Sequence, residues 1–559
     1  MLRNKLYLYG DESVGLPAYL HAGKRMLNRI KNFDDYVAII DAATDERMTF
    51  KEVAQLTVDV ALSLAHIGIK KGDVVSICSQ TVMEFVPVVY GTLAAGATFC
   101  PIDVTLEKAL LLHRLNLVKP KVLFLSPPAY DKHKDTIKPL AYIDKIVIFG
   151  ESFEDTLSFK DFLTEHASVE DFEAAPVNGS DDIALILFSS GTTGVSKGIK
   201  ISHLNLLLYI QDKECAPSLG VLTLVLFECY TSSGLIIAMY SHLKGFTMVF
   251  HNNADARKCF EIIEKYKINN IPSTPTTFVQ LMKLKNSSHY DTSSIKAISV
   301  NGTICHESTL DAIRKRFPSA QFVFQCYGMT ESGPICTPNR GRFGLRAGSV
   351  GHVHYNFVLK IVDVETRQPL GPNQRGEICY KSPVLMKGYI GETIEYLDEE
   401  GFFKTGDIGY YDEDQYVYVV DRLKDLIKFN NYHVPPAEIE SIILQHPAVL
   451  EVGVVGAKNE EFHELPTAFV ALQPGAQVNE QEIVDFVGKQ VSYKMRLAGG
   501  VRFLDSLPHC AGFKNKKGHG FISSWMYITC KKKINIILQK MPLCFFFFVA
   551  KRDLPHQIY

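Results

Sequence analysis

The chain is predicted to be an α/β protein with a large N-terminal part and a small α+β C-terminal part. Three observations carry that reading. Apolar runs of strand length alternate with amphipathic or turn sequence through roughly the first four hundred residues, the pattern of successive βα units. From Gly348 to Val420 the texture changes to short strands with close turns, which reads as a mostly β subdomain. After Lys424 a compact mixture of strands and helices begins, and 559 residues are in any case too many for one ordinary core.

Taken in order, the stretches Asp73 to Cys78, Lys121 to Leu125 and Lys145 to Phe149 are strand candidates, each followed by amphipathic or turn sequence. Ile183 to Phe188 is wholly apolar and reads as a buried strand, and Leu204 to Ile210 reads as a helix. The apolar stretch Leu219 to Tyr240 has the length of a membrane span. It is interrupted by Glu228 and by Thr231-Ser232-Ser233-Gly234, so core packing is expected and stable membrane insertion is not. Gly376 to Tyr380 and Gln415 to Val420 are the clearest strands of the β-rich part. Pro435 to Glu440 opens a helix, with proline in the first turn and acids near the N-terminus.

Composition narrows the function classes. Apolar residues make up 47% and charged residues 21%, as in a soluble globular protein. A net charge of −2 gives no reason to expect nucleic acid or an anionic membrane as partner, and no protein partner is implied. The twelve cysteines are scattered without a C-x-x-C pair, which points to neither a zinc site nor a disulfide framework. Reduced thiols in an intracellular compartment are expected. Asp11 and Glu12 arrive too early for a signal peptide.

The chemistry is concentrated in four motifs. The first is Ser189-Ser190-Gly191-Thr192-Thr193-Gly194-Val195-Ser196-Lys197-Gly198, directly after the apolar strand. Small residues let a backbone approach phosphate oxygens, hydroxyls and N–H groups donate to them, and Lys197 adds charge. On its own the run could also be a Ser/Gly/Thr surface turn, and its spacing is not that of a P-loop. Downstream stand Tyr327-Gly328-Met329-Thr330-Glu331-Ser332, Lys404-Thr405-Gly406-Asp407, and Asp421-Arg422-Leu423-Lys424-Asp425-Leu426-Ile427-Lys428. In this order the set resembles the adenylate-forming (AMP-binding) superfamily, and within it the firefly luciferase-like and 4-coumarate–CoA ligase-like acyl-CoA synthetases.

The resemblance implies an N-terminal domain over residues 1–423, made of two α/β sheets plus a small β-barrel, and a small mobile C-terminal domain over 424–514 hinged at Lys424. It implies a two-step reaction with ATP, Mg2+ and coenzyme A. A carboxylate displaces pyrophosphate from ATP to give an acyl-adenylate, and a thiol then displaces AMP. The loop Ser189 to Gly194 with Lys197 would hold the β- and γ-phosphates, and Glu331 would anchor Mg2+. Thr330 would donate to the α-phosphate, Tyr327-Gly328 would lie against the adenine, and Asp407 with Arg422 would grip the ribose. Asn301-Gly302-Thr303 stands where the family has a small-residue loop beneath adenine and acyl group. Lys514 would be the lysine of adenylation, with Lys516 and Lys517 as rivals in the same basic run, and Lys428 the lysine of thioester formation. On composition alone Lys424 is an ordinary solvated charge, Asp407 a turn residue and Glu331 a capping acid.

Several positions depart from the family pattern. Ser196 replaces the usual proline, Phe513 replaces the glycine before Lys514, and Asn431 replaces a glycine along the thiol tunnel. Thr231 occupies the acyl-pocket position of a family histidine and cannot carry charge. Adenylation of a small-molecule carboxylic acid, fatty or aromatic, followed by thioester formation is the leading expectation, with a place in fatty acid metabolism. A luciferase-like monooxygenase and a nucleotide-binding pseudoenzyme are the alternatives. Relatives often carry a peroxisomal Ser-Lys-Leu-like end, whereas this chain ends Gln557-Ile558-Tyr559.

Residues 515–559 lack sustained periodicity and contain Lys531-Lys532-Lys533 and Phe545-Phe546-Phe547-Phe548. The segment is expected to be disordered or foreign to the native coding sequence, as an unspliced intron with pyrimidine-rich DNA would be. Such a lysine run and phenylalanine run cannot be buried together without unpaired charge or an exposed apolar patch. Removing the residues after Lys517 is therefore expected to raise solubility and to leave the melting temperature no lower. A lower melting temperature would show that the tail contributes to the fold.

Overall fold

The computed structural model describes Asn4 to Asn515 apart from residues 12–15, 190–196, 211–217, 306, 339–343, 392–394, 430–431, 460–462, 508 and 511–513. Internal contacts divide the chain into two compact units. One runs to Lys424 and takes in His509–Lys514, and the other starts at Asp425 and runs to Pro508.

Two seven-stranded sheets form the bulk of the first unit. In one, the strand order is Lys197–Ser202, Ile183–Ser189, Thr98–Ile102, Val74–Cys78, Val122–Leu125, Lys145–Ile148, Leu157–Ser158. Its strands are parallel except at the edge, where Lys197–Ser202 returns antiparallel on Ile183–Ser189. In the other the order is Phe322–Gln325, Ala297–Val300, Asn270–Ser273, Leu222–Val225, Thr247–Phe250, Val37–Asp41, Arg47–Thr49. Parallel strands need covered faces, which is why these segments are near-continuous apolar runs. The helix Phe50–His66 starts at a capping box of Thr49 and Glu52. It packs against Phe85–Ala94, an apolar helix in which every residue is buried. One core unites both sheets through Val75, Ile77, Phe99, Ile39, Val225 and Met248, and extends to Leu359 and Tyr380 of the β-rich part.

Among the described residues the β-rich part has eight strands. Five form an antiparallel sheet in the order Tyr7–Tyr9, Val358–Val362, Gly376–Lys381, Phe403–Tyr411, Val417–Arg422. Three more, Tyr327–Met329, Gly333–Thr337 and His352–Val353, form a second sheet, linked to the first by the bridge Gly351–Val417. The small barrel implied by the resemblance corresponds to these strands, which among the described residues form two sheets linked by that bridge. The strand expected from Gln415 begins only at Val417. Gln415 takes φ of +65° in the preceding turn, a left-handed conformation incompatible with a strand.

The apolar stretch Leu219 to Tyr240 divides into the strand Leu222–Val225 and the start of the helix Ser232–Lys244. Among the described residues no helix is long and apolar enough to cross a membrane. The second unit has a sheet of Tyr432–Val434, Ile427–Phe429, His463–Leu472 and Val449–Asn459, with Val501–Leu504 pairing parallel to His463–Leu472. The helix Pro436–Ile443 begins with proline in its first turn, as read from the sequence. With the helix Glu480–Gly488 it covers a core of Ile427, Ile439, Ile443, Val452, Val470, Ile483 and Val487.

Three histidines of the first unit are buried where only the neutral imidazole fits. His203 Nδ1 accepts the Ala22 N–H at 3.2 Å, and His21 Nδ1 accepts the Lys24 N–H at 3.3 Å. Their rings meet edge-on with centroids 4.9 Å apart. His242 lies between Phe50 and Tyr90. Burial lowers His21 to about 4, His203 to about 3 and His242 to about 4. The unfolded chain protonates all three near pH 6.5, so their stabilisation is complete above that value and is lost as pH falls toward 4. Each should then cost about 1.4 kcal/mol per pH unit. Calorimetric unfolding between pH 7 and 5 should show a falling melting temperature with proton uptake approaching one per histidine. Uptake that does not fall in the His203→Gln variant would exclude this account for that residue.

Candidate active site

The site is built where the three-stranded sheet meets the five-stranded one. Tyr327–Met329 and Gly333–Thr337 form a hairpin whose turn carries Thr330 and Glu331. A Cβ on Gly328 would collide with the Gly333 carbonyl across the hairpin. Gly333 itself takes φ of +72° with the Tyr209 ring against it, so no side chain fits there. The tight turn thereby places Glu331 inward at 7% exposure, rather than at the end of a helix. Its Oε1 accepts the Tyr389 hydroxyl at 3.0 Å, and its carbonyl accepts the Met386 N–H at 2.8 Å. Burial pushes the Glu331 carboxyl up, with Asp407 adding to that and Tyr389 and Arg422 opposing it.

Asp407 is no turn residue. It lies within the strand Phe403–Tyr411, directly opposite Arg422 of Val417–Arg422. Arg422 Nε donates to Asp407 Oδ1 at 3.1 Å, and the Tyr327 hydroxyl donates to Oδ2 at 2.6 Å. Burial and the Asp407 charge push the Tyr327 phenol well above its ordinary range, so it stays a donor. Tyr327 is thus tied to Asp407 by its hydroxyl, a contact the sequence does not announce.

Thr330 Oγ1 lies 3.4 Å from Ser232 Oγ, at the start of the helix Ser232–Lys244. Thr231 caps that helix. Its hydroxyl accepts the Gly234 N–H at 3.1 Å and donates to the Glu228 carbonyl at 2.7 Å. The Glu228 carboxylate, pushed up by burial, takes both the N–H and the hydroxyl of Thr81 at 3.0 Å. Ser189 ends its strand opposite Lys197, and the connecting residues Ser190 to Ser196, with Gly191, Thr192, Thr193 and Gly194, lie outside the described residues. The Lys197 ammonium stands 5.2 Å from the centre of the Tyr389 ring.

Asn301, Gly302 and Thr303 follow the strand Ala297–Val300. Asn301 turns its amide toward Ser299, and Gly302 takes φ of +90°. Lys424 is exposed and closes the first unit. Lys428 belongs to the second unit, exposed on Ile427–Phe429, where its N–H donates to Glu464. The backbone of Lys514 forms a short strand with His509–Cys510. The side chain of Lys514 lies outside the described residues, as do Asn431 and Phe513. Tyr389 and Ser232 join the site without having been singled out in the sequence.

Residues 27–390 match the AMP-binding enzyme family, and residues 438–514 match the AMP-binding enzyme C-terminal domain. The chain belongs to the AMP-binding enzymes. Within this adenylate-forming superfamily it is 32% identical to luciferin 4-monooxygenase of Photuris pensylvanica, over 91% of this chain and 96% of that protein. It is equally 32% identical to 4-coumarate–CoA ligase of Pinus taeda, over 86% of this chain and 90% of the other. A luciferase-like enzyme from the nonluminescent mealworm Zophobas morio superposes with a TM-score of 0.69 at 29% identity, covering 75% of this chain and all of that one. An anthranilate–CoA ligase solved with anthranoyl-AMP shares the fold with a TM-score of 0.81 at 23% identity, over 93% and 99% of the two chains.

In this AMP-binding enzyme the Tyr327 hydroxyl satisfies a carboxylate that is only 6% exposed. Tyr327→Phe leaves that acceptor short of a donor, which costs about 1–3 kcal/mol. Urea unfolding should show that loss with an unchanged m-value, and equal stability would mean that Asp407 recruits another donor.

Proposed function

We propose that this chain is an ATP-dependent acid–thiol ligase that activates a fatty or aromatic carboxylic acid as its adenylate and transfers the acyl group to coenzyme A. The observation that supports this most is the clustering of Tyr327, Thr330, Glu331, Asp407 and Arg422 from three distant motifs. Asp407 and Glu331 are near enough for the charge of one to raise the other. Two buried carboxylates, one braced by an arginine, suit a ribose diol and a cation–phosphate group respectively. Asp407 would accept from the ribose hydroxyls while Arg422 and Tyr327 hold it in place.

Glu331 fits Mg2+. The ion takes one or two carboxylates together with phosphate oxygens, and Tyr389 occupies one Glu331 oxygen while Thr330 stands beside it in the turn. When bound, Mg2+ would neutralise charge on the phosphates. The carboxylate oxygen attacks the α-phosphorus, the bond to the bridging oxygen breaks, and pyrophosphate leaves. Thr330 would donate to the α-phosphate, and Lys197 with the loop from Ser189 to Gly194 would hold the departing phosphates. The backbone of Asn301 to Thr303 would lie beneath the adenine. In the second step the thiolate sulfur of coenzyme A attacks the acyl carbon and AMP departs. Lys514 would serve the first step and Lys428 the second, the small domain turning about Lys424 between them. With its hydroxyl committed to the helix cap, Thr231 leaves the acyl pocket without an imidazole base.

The luciferin 4-monooxygenase relatives, at 32–34% identity, favour a second reading in which the adenylate is oxygenated. Carboxylate-dependent ATP–pyrophosphate exchange across a panel of acids tests the shared first step, and light or oxygen uptake separates the readings. Lys514→Ala should abolish exchange while a supplied acyl-adenylate still reacts with coenzyme A. Lys428→Ala should do the reverse. Equal loss of both half-reactions in both variants would overturn the two-lysine scheme, and absence of exchange with every acid would overturn the ligase.

A further inference from the structure

The segment Met386–Ile390 joins two parts of the site that are remote in the chain. Its Met386 N–H donates to the Glu331 carbonyl at 2.8 Å. The following residues pair with the edge strand that starts at Lys197. Lys387 N–H donates to the Lys200 carbonyl at 2.7 Å, and Lys200 N–H to the Gly388 carbonyl at 3.1 Å. Ile390 N–H donates to the Gly198 carbonyl at 2.8 Å, which sets Tyr389 opposite Ile199. The ribbon therefore ties the turn bearing Glu331 to the strand bearing Lys197.

Tyr389, on that ribbon, touches both charged groups. Its hydroxyl donates to Glu331 Oε1 at 3.0 Å, and its ring centre lies 5.2 Å from the Lys197 ammonium. A carboxylate and an ammonium approaching one ring attract each other, and in a direct ion pair each would cancel the charge the other brings to a ligand. A phenol satisfies both without neutralising either. It gives the anion a donor and the cation a π face.

We propose that Tyr389 is a positioning residue that keeps Glu331 and Lys197 apart, so that one meets a divalent cation and the other the phosphates that cation bridges. The inference rests on the reading of Glu331 as the Mg2+ residue. Tyr389 touches neither metal nor nucleotide in this account. It acts by holding the Lys197 ammonium on its ring face and by fixing the orientation of the Glu331 carboxylate.

The test uses the full chain with Tyr389→Phe, Tyr389→Ala and Glu331→Gln. Mn2+ binding in the presence of ATP is read by electron paramagnetic resonance, metal-free ATP binding by calorimetry, and folding by melting temperature. Tyr389→Phe keeps the ring and loses the hydrogen bond to a charged group, so Mn2+ affinity should fall about tenfold or more. Its ATP affinity without metal should stay at the wild-type value, and its melting temperature should fall by no more than one lost hydrogen bond accounts for. Tyr389→Ala should also weaken metal-free ATP binding, because Lys197 then pairs with Glu331. A merely structural tyrosine would lower the melting temperature and leave the Mn2+ titration in place. Wild-type Mn2+ affinity in Tyr389→Phe, with Glu331→Gln still losing the ion, overturns the role of Tyr389 and leaves the metal residue standing. Wild-type Mn2+ affinity in Glu331→Gln overturns both. Should Tyr389→Ala fail to fold, Tyr389→Phe carries the test alone.

Discussion

The Asp407 carboxylate is 6% exposed and draws its donors from two directions, Arg422 on the facing strand and Tyr327 from another sheet. A buried carboxylate costs several kcal/mol unless hydrogen bonds and opposite charge replace its hydration. That requirement constrains everything around it. The register of Phe403–Tyr411 on Val417–Arg422 has to set Asp407 opposite Arg422, because a slip of one residue would carry the arginine to the other face. The three-stranded sheet has to dock so that Tyr327 reaches across. The bridge Gly351–Val417 and the core shared by Ile335, Cys336 and Val417 hold it there.

Close backbone approach is the second constraint. Glu331 reaches its buried position because the hairpin that carries it has no side chain at Gly328 or Gly333, and the Tyr209 ring fills the space beside Gly333. The same turn offers its carbonyl to Met386, which brings in the ribbon that carries Tyr389. Carboxylate, phenol and ammonium are thus placed by backbone hydrogen bonds, with side chains supplying only the last contact. Such placement is precise because backbone geometry has few soft degrees of freedom.

Much of this was legible in the chain. Ile183–Ser189 and Val122–Leu125 are strands because their apolar runs can be satisfied only inside a covered parallel sheet. The helix from Pro436 follows from the proline and the acid that open it. The break in Leu219 to Tyr240 follows from Thr231, whose hydroxyl starts a helix at Ser232. Periodicity starts the strand at Gln415, two residues before Val417, since it does not reveal that Gln415 turns left-handed. The motifs named Asp407, Arg422, Tyr327 and Glu331, but no spacing told which of them touch. Tyr389 was missed altogether, because a tyrosine after a glycine in a loop carries no signal of what lies opposite.

By itself the sequence determined the alternation that makes the chain α/β, the change to short strands after Gly348, the fresh start after Lys424 and the membership of its motifs in one family. These are local properties, written in periods of two and 3.6 residues and in short runs of small or charged side chains. Only the tertiary structure decided that Tyr327 serves Asp407, that Thr231 spends its hydroxyl on a helix cap, and that Tyr389 meets both Glu331 and Lys197. The physical reason is that hydrogen bonds and charge pairs act over a few ångströms of space, and only the folded backbone determines which distant residues come within that reach.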